Sequence, residues 1–252
     1  MAKSKRLTQI RAGRLVTAVL YTQATASDEP QVRAAKLKAS SEARQRLNHR
    51  ASWQKMETVM AANFDRADLF VTLTYRDADL PHSREQAQRC LNDFLRQLRD
   101  ARQIRGEELR YIKNTEHLRD DGTEGRWHHH LVINGTGSDC EELRALWEKY
   151  GENVDVQPLL GEGWDYEARS RYMCKERPPA GKQAWTPSRN LTRPERTSEL
   201  VDDALTLTPP PGAVVIETQQ VDNGWGSYVY LKYLLPWKPR RPARRRMPRR
   251  TE

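Results

Sequence analysis

The sequence predicts an α+β fold in which helices pack on a central antiparallel sheet. Short apolar, β-branched runs alternate with longer segments of helical periodicity, so strands and helices are interspersed along the chain. Two pairs of these runs flank Asp-Gly or Asn-Gly turn sequences, which are typical of antiparallel hairpins. The helix after Ser83 places its apolar residues on one face, as expected for a helix that covers a sheet.

The first third of the chain predicts a strand, a long helix and a second strand. Residues 14–21 (RLVTAVLY) are apolar and β-branched and contain no breaker. The helix follows Asp28–Pro30 and spans 31–62, with an interruption expected near Asn48–His49. Residues 69–75 (LFVTLTY) form the clearest strand of the sequence.

The middle of the chain continues with a helix that Ser83 caps and that ends near Arg102. Residues 109–116 and 126–134 then form a hairpin around the turn at 120–122. The next elements are predicted to be a helix over 138–150 capped by Ser138, a strand over 153–160 and a helix over 165–176.

The last third combines irregular chain with one hairpin. Residues 178–211 are rich in Pro, Ser, Thr and charge, and they predict a long excursion with little regular structure. Residues 213–221 and 227–234 form the final hairpin. We therefore divide the chain into a basic N-terminal segment (1–62) packed on the main domain, the main domain itself (63–235), and a disordered Arg/Pro-rich tail (236–252).

The positive charge of the protein is concentrated at its two ends. The 252 residues carry 43 Lys and Arg against 34 Asp and Glu, a formal net charge of +9. The last fifteen residues hold eight basic groups and one acid, and the first fourteen hold five basic groups and no acid. Basic ends suit a polyanion because each neutralised phosphate releases counterions. A solvated, disordered tail has the same composition.

Composition also argues against several classes of protein. No apolar run approaches the ~20 residues that cross a bilayer, and the basic N-terminus has no apolar signal core. Three cysteines without CxxC spacing indicate neither a disulfide framework nor a zinc ribbon. We therefore expect a cytoplasmic protein without membrane partners.

Three consecutive histidines lie within the predicted strand 126–134. Alternation along a strand places His128 and His130 on one face and turns His129 to the other. Glu116, at the end of the partner strand, is placed to add a carboxylate on the first face. Such a set leaves open positions on a divalent ion that holds a substrate oxygen. Paired histidines on a strand are often ordinary, but polar residues within an apolar strand need a role.

Tyr172 and Lys175 form a second pair of chemical interest. Residues three apart on a helix share a face, so a phenol and an ammonium group can approach one target. The lysine would favour the phenolate and can neutralise a phosphate oxygen. Taken alone, the pair is more simply interpreted as a half-buried tyrosine beside a surface lysine.

In chain order, LFVTLTY, Glu116, GRWHHHLVI and the Tyr172-x-x-Lys175 helix resemble the motifs of rolling-circle replication initiators of phages and plasmids. These initiators are members of the HUH endonuclease superfamily, named for its His-x-His motif. The segment WTPSRNLTRP resembles a stretch downstream of the nucleophile in phage-type replication proteins. The resemblance spans residues 60–235, and the metal and nucleophile motifs are its specific parts.

The resemblance implies an antiparallel sheet with the histidine pair on a middle strand and a helix that presents the tyrosine. It implies that Glu116, His128 and His130 bind Mg²⁺ or Mn²⁺. Tyr172 would be the nucleophile, and Lys175 would offset charge on the phosphate. The reaction would nick and rejoin single-stranded origin DNA through a 5′-phosphotyrosine, with a host helicase and polymerase as partners. The candidate DNA-binding residues are Arg189, Arg193, Lys238, Arg240, Arg241, Arg244, Arg245 and Arg246.

Motif order separates the relatives. Relaxases place their tyrosine before the histidines, whereas Tyr172 follows them, and no second tyrosine stands at the spacing of two-tyrosine members. No GxxxxGK[ST] stretch is present, so a fused helicase is not expected. A single-tyrosine HUH transposase, a hydrolytic metal-dependent nuclease and a non-catalytic DNA-binding module remain alternatives. His129 occupies a position that is usually hydrophobic in the family, and it either packs or contacts DNA.

Overall fold

The computed structural model describes residues 5–23, 41–118, 123–151, 153–159, 166–176, 183–223 and 226–236. The helices within these ranges are α1 (Ser41–Asn63), α2 (Arg84–Ile104), α3 (Asp139–Trp147) and α4 (Tyr166–Met173). The strands are β1 (Lys5–Ala12), β2 (Leu15–Thr22), β3 (Leu69–Thr74), β4 (Tyr111–Leu118), β5 (Glu124–Ile133), β6 (Asn153–Pro158), β7 (Thr186–Pro187), β8 (Glu195–Val201), β9 (Val214–Asn223) and β10 (Gly226–Leu234).

Two antiparallel five-stranded sheets organise the described residues. Sheet I has the strand order β6-β3-β5-β4-β7, and sheet II has the order β8-β1-β2-β10-β9. The predicted α+β class is confirmed, and β5 is the middle strand of sheet I. Sheet II is additional to the single central sheet that the sequence predicted, because its strands come from the two ends of the chain.

Sheet I is covered by helices on both faces, because alternate residues of its strands are apolar on each side. On one face, α2 and α3 pack on β3 and β5 in a buried cluster that includes Val71, Leu73, Phe94, Leu98, Leu131 and Trp147. On the other face, α1 and α4 pack on the same sheet in a cluster that includes Met56, Met60, Phe70, Ile112, Val132 and Met173. Ala12, Leu15 and Leu234 join the second cluster, so it also connects sheet II to α1.

The long first helix differs from its prediction at the point where an interruption was expected. Helix α1 continues through Asn48 and His49 without a break. His49 is not a helix breaker here, since its imidazole Nε2 donates to the carbonyl of Cys174, 2.6 Å away, and so ties α1 to the end of α4. The predicted helical residues before Ser41 lie outside the described residues.

Two strands of sheet II were not predicted. Strand β1 lies in the basic N-terminal segment, where Lys5 and Arg6 hydrogen-bond to Asp203 and Ser198. Strand β8 lies within 178–211, so the expectation of little regular structure there is wrong in part. Strand β8 is a polar, exposed edge strand that pairs with β1, and its partner is almost the whole chain away. Such a pairing leaves no local sequence pattern.

Helix ends agree with the sequence at one cap and differ at another. Ser83 accepts a hydrogen bond from the backbone of Gln86, as predicted, which stabilises the start of α2 by about 1 kcal/mol. Ser138 makes no capping bond. The carboxylate of Asp139 instead accepts the backbone N–H groups of Thr136 and Gly137. Helix α4 ends at Met173, shorter than predicted, and the turn at 120–122 lies outside the described residues.

Candidate functional site

The register of sheet I brings three strands to one polar site on the face covered by α1 and α4. Strand β5 pairs with β4 so that Glu116 lies opposite His128 and Asn114 lies opposite His130. On its other side, β5 pairs with β3, and Thr72 lies opposite His130. Directly opposed residues of an antiparallel sheet share a face. The sequence prediction that His128, His130 and Glu116 share a face is therefore confirmed.

These three side chains form a compact cluster. Glu116 Oε2 lies 3.6 Å from His128 Nε2 and 3.6 Å from His130 Nε2, and one ligand atom of each residue lies within 4.8 Å of the others. The side chains of Glu116 and His130 are 0% and 1% exposed, and that of His128 is 18% exposed. The two contacts are longer than hydrogen bonds, and both Glu116 Oε2 and His130 Nε2 lack a hydrogen-bond partner.

The second nitrogen of each imidazole is held by a neighbour. His128 Nδ1 lies 2.9 Å from the carbonyl of Arg126. Since a carbonyl only accepts, Nδ1 carries the proton and Nε2 turns its lone pair toward Glu116. His130 Nδ1 lies 3.2 Å from the hydroxyl of Thr72, which orients this ring in the same way. Metal-binding histidines are commonly held by such partners.

The charges of the cluster are coupled. Burial acts to raise the pKa of the Glu116 carboxyl, but its interactions with His128, His130 and Lys175 outweigh burial and lower this pKa to about 2. Burial lowers the pKa of His130. Burial acts in the same direction on His128, but there the interaction with Glu116 outweighs it, so the pKa of His128 is raised. At neutral pH the cluster therefore contains an ionised carboxylate between two imidazoles.

The donor set fits a divalent cation. Buried polar atoms normally have partners, so the unpartnered Glu116 Oε2 and His130 Nε2 point to a ligand that is not part of the chain. Two imidazoles and one carboxylate leave open positions on a cation. Of the described residues, Glu116, His128 and His130 are the one group of three His, Cys, Asp or Glu side chains that could hold a metal ion.

Tyr172 and Lys175 lie directly over this cluster. The ring centroids of Tyr172 and His130 are 4.9 Å apart in an edge-on arrangement, and the tyrosine is 38% exposed. Lys175 Nζ lies 3.5 Å from Glu116 Oε2 and 4.3 Å from the centroid of the Tyr172 ring. The proximity expected for this pair is confirmed, although Lys175 follows the end of α4. A half-exposed phenol, an ammonium group and a buried acceptor cluster thus meet at one place.

His129 belongs to the opposite face of β5. Its ring is fully buried, with Nε2 2.7 Å from the hydroxyl of Tyr75 and Nδ1 3.0 Å from the hydroxyl of Thr115. It also makes an edge contact with Trp147, at a centroid distance of 5.8 Å. Burial lowers its pKa well below the usual value. Of the two roles considered for His129, packing is therefore the one that the structure supports.

Three further polar residues support the site and were not predicted. Asn114 donates to Glu116 Oε1 at 2.6 Å and also to the carbonyl of Met173. Thr72 contacts His130, and Glu176 accepts backbone hydrogen bonds at the end of β4. Each left a signal in the sequence. Asn114 and Thr72 are polar at strand positions of the buried face, and Glu176 directly follows Lys175.

The candidate DNA-binding residues are only partly within the described chain. Arg189 and Arg193 are exposed on the segment between β7 and β8. Their neighbours Ser188 and Asn190 fasten this segment to β4, through the backbone groups of Tyr111 and Leu109. The tail residues Lys238, Arg240, Arg241, Arg244, Arg245 and Arg246 lie outside the described residues.

Comparison with known proteins identifies a related family. Residues 68–177 match the family model of the replication-associated protein ORF2/gene 2 protein. The match begins just before β3 and ends just after Glu176, so it contains every residue of the cluster together with Tyr172 and Lys175. Comparisons with curated proteins and with solved structures give no significant match. The family match supports a replication initiator. None of the described helices is long and apolar enough to span a membrane.

Proposed function

We propose that the protein is an HUH-type endonuclease that initiates rolling-circle replication by nicking and rejoining single-stranded origin DNA. One observation carries the proposal. The half-exposed Tyr172 ring lies against His130 in a buried cluster whose Glu116 Oε2 and His130 Nε2 have no hydrogen-bond partner. A nucleophile over an incomplete cation site is the arrangement that phosphoryl transfer to a side chain requires.

Glu116, His128 and His130 would hold Mg²⁺ or Mn²⁺. When bound, such an ion polarises a phosphate oxygen as a Lewis acid. The chain supplies the rest of the site. Arg126 and Thr72 orient the two imidazoles, and Asn114 holds Glu116 Oε1 so that Oε2 remains directed at the histidines.

Tyr172 forms the covalent bond. Its phenolic oxygen attacks the scissile phosphorus and gives up its proton to solvent. The bond between phosphorus and the 3′ oxygen breaks, and that oxygen takes a proton to leave as a free 3′-hydroxyl. The downstream strand stays linked through a 5′-phosphotyrosine. Attack of a 3′-hydroxyl on this phosphotyrosine reverses the step and rejoins DNA.

Lys175 stabilises charge on the phosphate during this transfer. Its ammonium group lies between the Glu116 carboxylate and the Tyr172 ring, so it is close to any phosphate that approaches both. Contacts to the DNA backbone are assigned to Arg189, Arg193 and the basic groups of the tail, where affinity is electrostatic and independent of sequence.

The partners follow from the products. The free 3′-hydroxyl is a primer for a host DNA polymerase. Because the sequence has no GxxxxGK[ST] stretch, unwinding is assigned to a host helicase. These activities belong in the cytoplasm of a bacterial host, in a phage or plasmid replicon.

A covalent-capture experiment tests the proposal. The full chain is incubated with Mn²⁺ and a pool of single-stranded oligonucleotides of randomised sequence labelled at the 3′ end. Because the downstream fragment becomes linked to tyrosine, the label should move to the protein and survive denaturation. Sequencing the captured fragments identifies the cleavage site. Addition of EDTA should prevent the transfer.

Variants assign the nucleophile. Tyr172→Phe should form no adduct, whereas Tyr228→Phe should react normally, since Tyr228 has a similar exposure (39%) but lies on β10 of sheet II. An adduct with Tyr172→Phe would show that another residue is the nucleophile. Cleavage by the wild-type protein without any adduct would indicate a hydrolytic nuclease, and binding without cleavage would indicate a DNA-binding module.

A further inference from the structure

The chain that leaves α4 is fastened to three other elements. We call residues Met173 to Glu176 the exit turn. The Met173 carbonyl accepts from Asn114 of β4, and the Cys174 carbonyl accepts from His49 of α1. The Glu176 carboxylate binds β4 and α2. Tyr172 immediately precedes this turn and Lys175 lies within it, so the position of both depends on these attachments.

Glu176 makes the most extensive of these attachments. Its side chain is 6% exposed. One carboxylate oxygen accepts the backbone N–H groups of His117, at 2.8 Å, and Leu118, at 3.2 Å. The other accepts from the guanidinium of Arg84 at 3.1 Å. A buried carboxylate with charge-assisted bonds on both oxygens is held in one orientation.

The two backbone groups belong to an irregularity in β4. The pairing of β4 with β5 shifts between Glu116 and Leu118, directly after the metal-ligand position. Bulges of this kind re-aim side chains next to active sites. Since β7 pairs with β4 only at Ile112 and Lys113, the backbone donors at 117 and 118 would lack strand partners on that edge, and Glu176 supplies their acceptor.

The exit turn therefore holds β4 on both sides of Glu116. Asn114 connects it two residues before Glu116, and Glu176 connects it one and two residues after. Helix α4 has only eight residues, and so short a helix does not hold its own position in water. The relative placement of nucleophile and cation site thus rests on these contacts.

We propose that Glu176, together with Arg84, is a positioning residue that fixes Tyr172 and Lys175 against the Glu116–His128–His130 cluster. This inference rests on the proposed nicking activity. Glu176 touches neither DNA nor cation. It acts through the exit turn, and its removal displaces the nucleophile without removing any reacting group. Small displacements of a nucleophile reduce rates strongly.

The test compares four variants of the full chain in single-turnover adduct formation. They are Glu176→Ala, Glu176→Gln, Arg84→Gln and, as a control, Glu141→Gln at an exposed glutamate of α3. The substrate is the oligonucleotide identified by covalent capture, saturating together with Mn²⁺. We expect a rate loss of about 100-fold for Glu176→Ala and about 10-fold for Glu176→Gln, which retains an acceptor for the β4 backbone. Glu141→Gln should match the wild-type protein.

Two readouts separate positioning from a general loss of structure. DNA affinity, measured with Tyr172→Phe added to each variant, should stay unchanged, so that the effect falls on the rate of the bound complex. Amide exchange should accelerate at His117 and Leu118 and across the exit turn in Glu176→Ala, and remain unchanged in the α3 region. Arg84→Gln combined with Glu176→Gln should be no slower than Glu176→Gln alone, because the two residues act as one unit.

The outcomes are distinguishable. A normal adduct rate in Glu176→Ala, or a loss explained entirely by weaker DNA binding, overturns the positioning role. Unchanged amide exchange in the exit turn also overturns it. Absence of any adduct with the wild-type protein instead contradicts the proposed nicking activity, and the positioning role is then rejected with it.

Discussion

The two faces of β5 place adjacent histidines in opposite situations. On one face His128 and His130 surround Glu116, and two of the buried polar atoms there have no hydrogen-bond partner. On the other face both ring nitrogens of His129 are bonded to hydroxyl groups within the core. Both faces bury histidines, but the bonds of His129 are complete and those of the cluster are not.

This difference distinguishes a structural histidine from a ligand-binding one. A buried polar group without a partner costs about 1–3 kcal/mol, so an incomplete set of bonds is unfavourable unless a ligand completes it. His129 needs nothing further from outside the chain. The cluster on the other face does, and the half-exposed Tyr172 marks the side from which DNA would reach it.

The largest expected effect concerns the incomplete face. Glu116→Gln removes the carboxylate, so Mn²⁺ should no longer support adduct formation, with a rate loss on the order of 1,000-fold. Mn²⁺ at about 100 times its Kd should stabilise the wild-type protein by about 2.7 kcal/mol and the variant hardly at all. Thermal unfolding with and without Mn²⁺ measures this.

Glu57→Gln is the matched control for that experiment. Glu57 is also buried, but it pairs with Lys232 between α1 and sheet II. It should lose stability and keep the stabilisation by Mn²⁺. Equal responses of the two variants to Mn²⁺ would remove the distinction between the cluster and an ordinary buried glutamate.

The second prediction concerns the complete face. His129→Ala leaves the hydroxyls of Tyr75 and Thr115 without their partner and opens a cavity beside Trp147. We expect a loss of about 2–4 kcal/mol in the free energy of unfolding. His128→Ala should cost much less when both are measured by urea unfolding in EDTA. A larger loss for His128→Ala would reverse the assignment of the two faces.

The sequence predicted this contrast because strand alternation is local. The period of two and the hairpin around 120–122 were enough to place His128, His130 and Glu116 together and to turn His129 away. The Tyr172–Lys175 spacing likewise predicted their proximity. These features depend on residues that are neighbours along one or two adjacent strands or one helix.

Sheet II and the exit turn were missed for the converse reason. Strand β8 finds its partner β1 almost at the other end of the chain, and its own sequence is polar and exposed. Glu176 has the appearance of a surface glutamate until β4 is seen to bend beside it. His49 appeared to interrupt a helix, because its bond to Cys174 exists only once α1 and α4 are packed. Tertiary contacts decided each case.

The third prediction concerns Thr72, which holds the outer nitrogen of His130. Thr72→Val keeps the shape of the side chain and removes the hydroxyl, so the His130 ring is no longer fixed in the orientation that a cation needs. Affinity for Mn²⁺, measured by titration of the unfolding temperature, should fall about 10- to 100-fold. Thr74→Val is the control, since the Thr74 hydroxyl bonds to the Asn153 carbonyl instead. Equal losses for both would remove the role of Thr72.

The smallest effect is a pH dependence that belongs to the complete face alone. Burial holds the pKa of His129 well below 6.5 in the folded protein, whereas the unfolded chain has the ordinary value. Between these two values the unfolded state binds more protons, so stability is full above about pH 6.5 and declines as the pH falls, by up to about 1.4 kcal/mol per pH unit. His129→Gln should lack this part of the decline. His128 and His130 also titrate, but they are present in both proteins, so the difference between the two urea-unfolding profiles isolates His129. Parallel profiles would mean that His129 becomes protonated without leaving the core, and that the two faces of β5 differ less than their hydrogen bonds indicate.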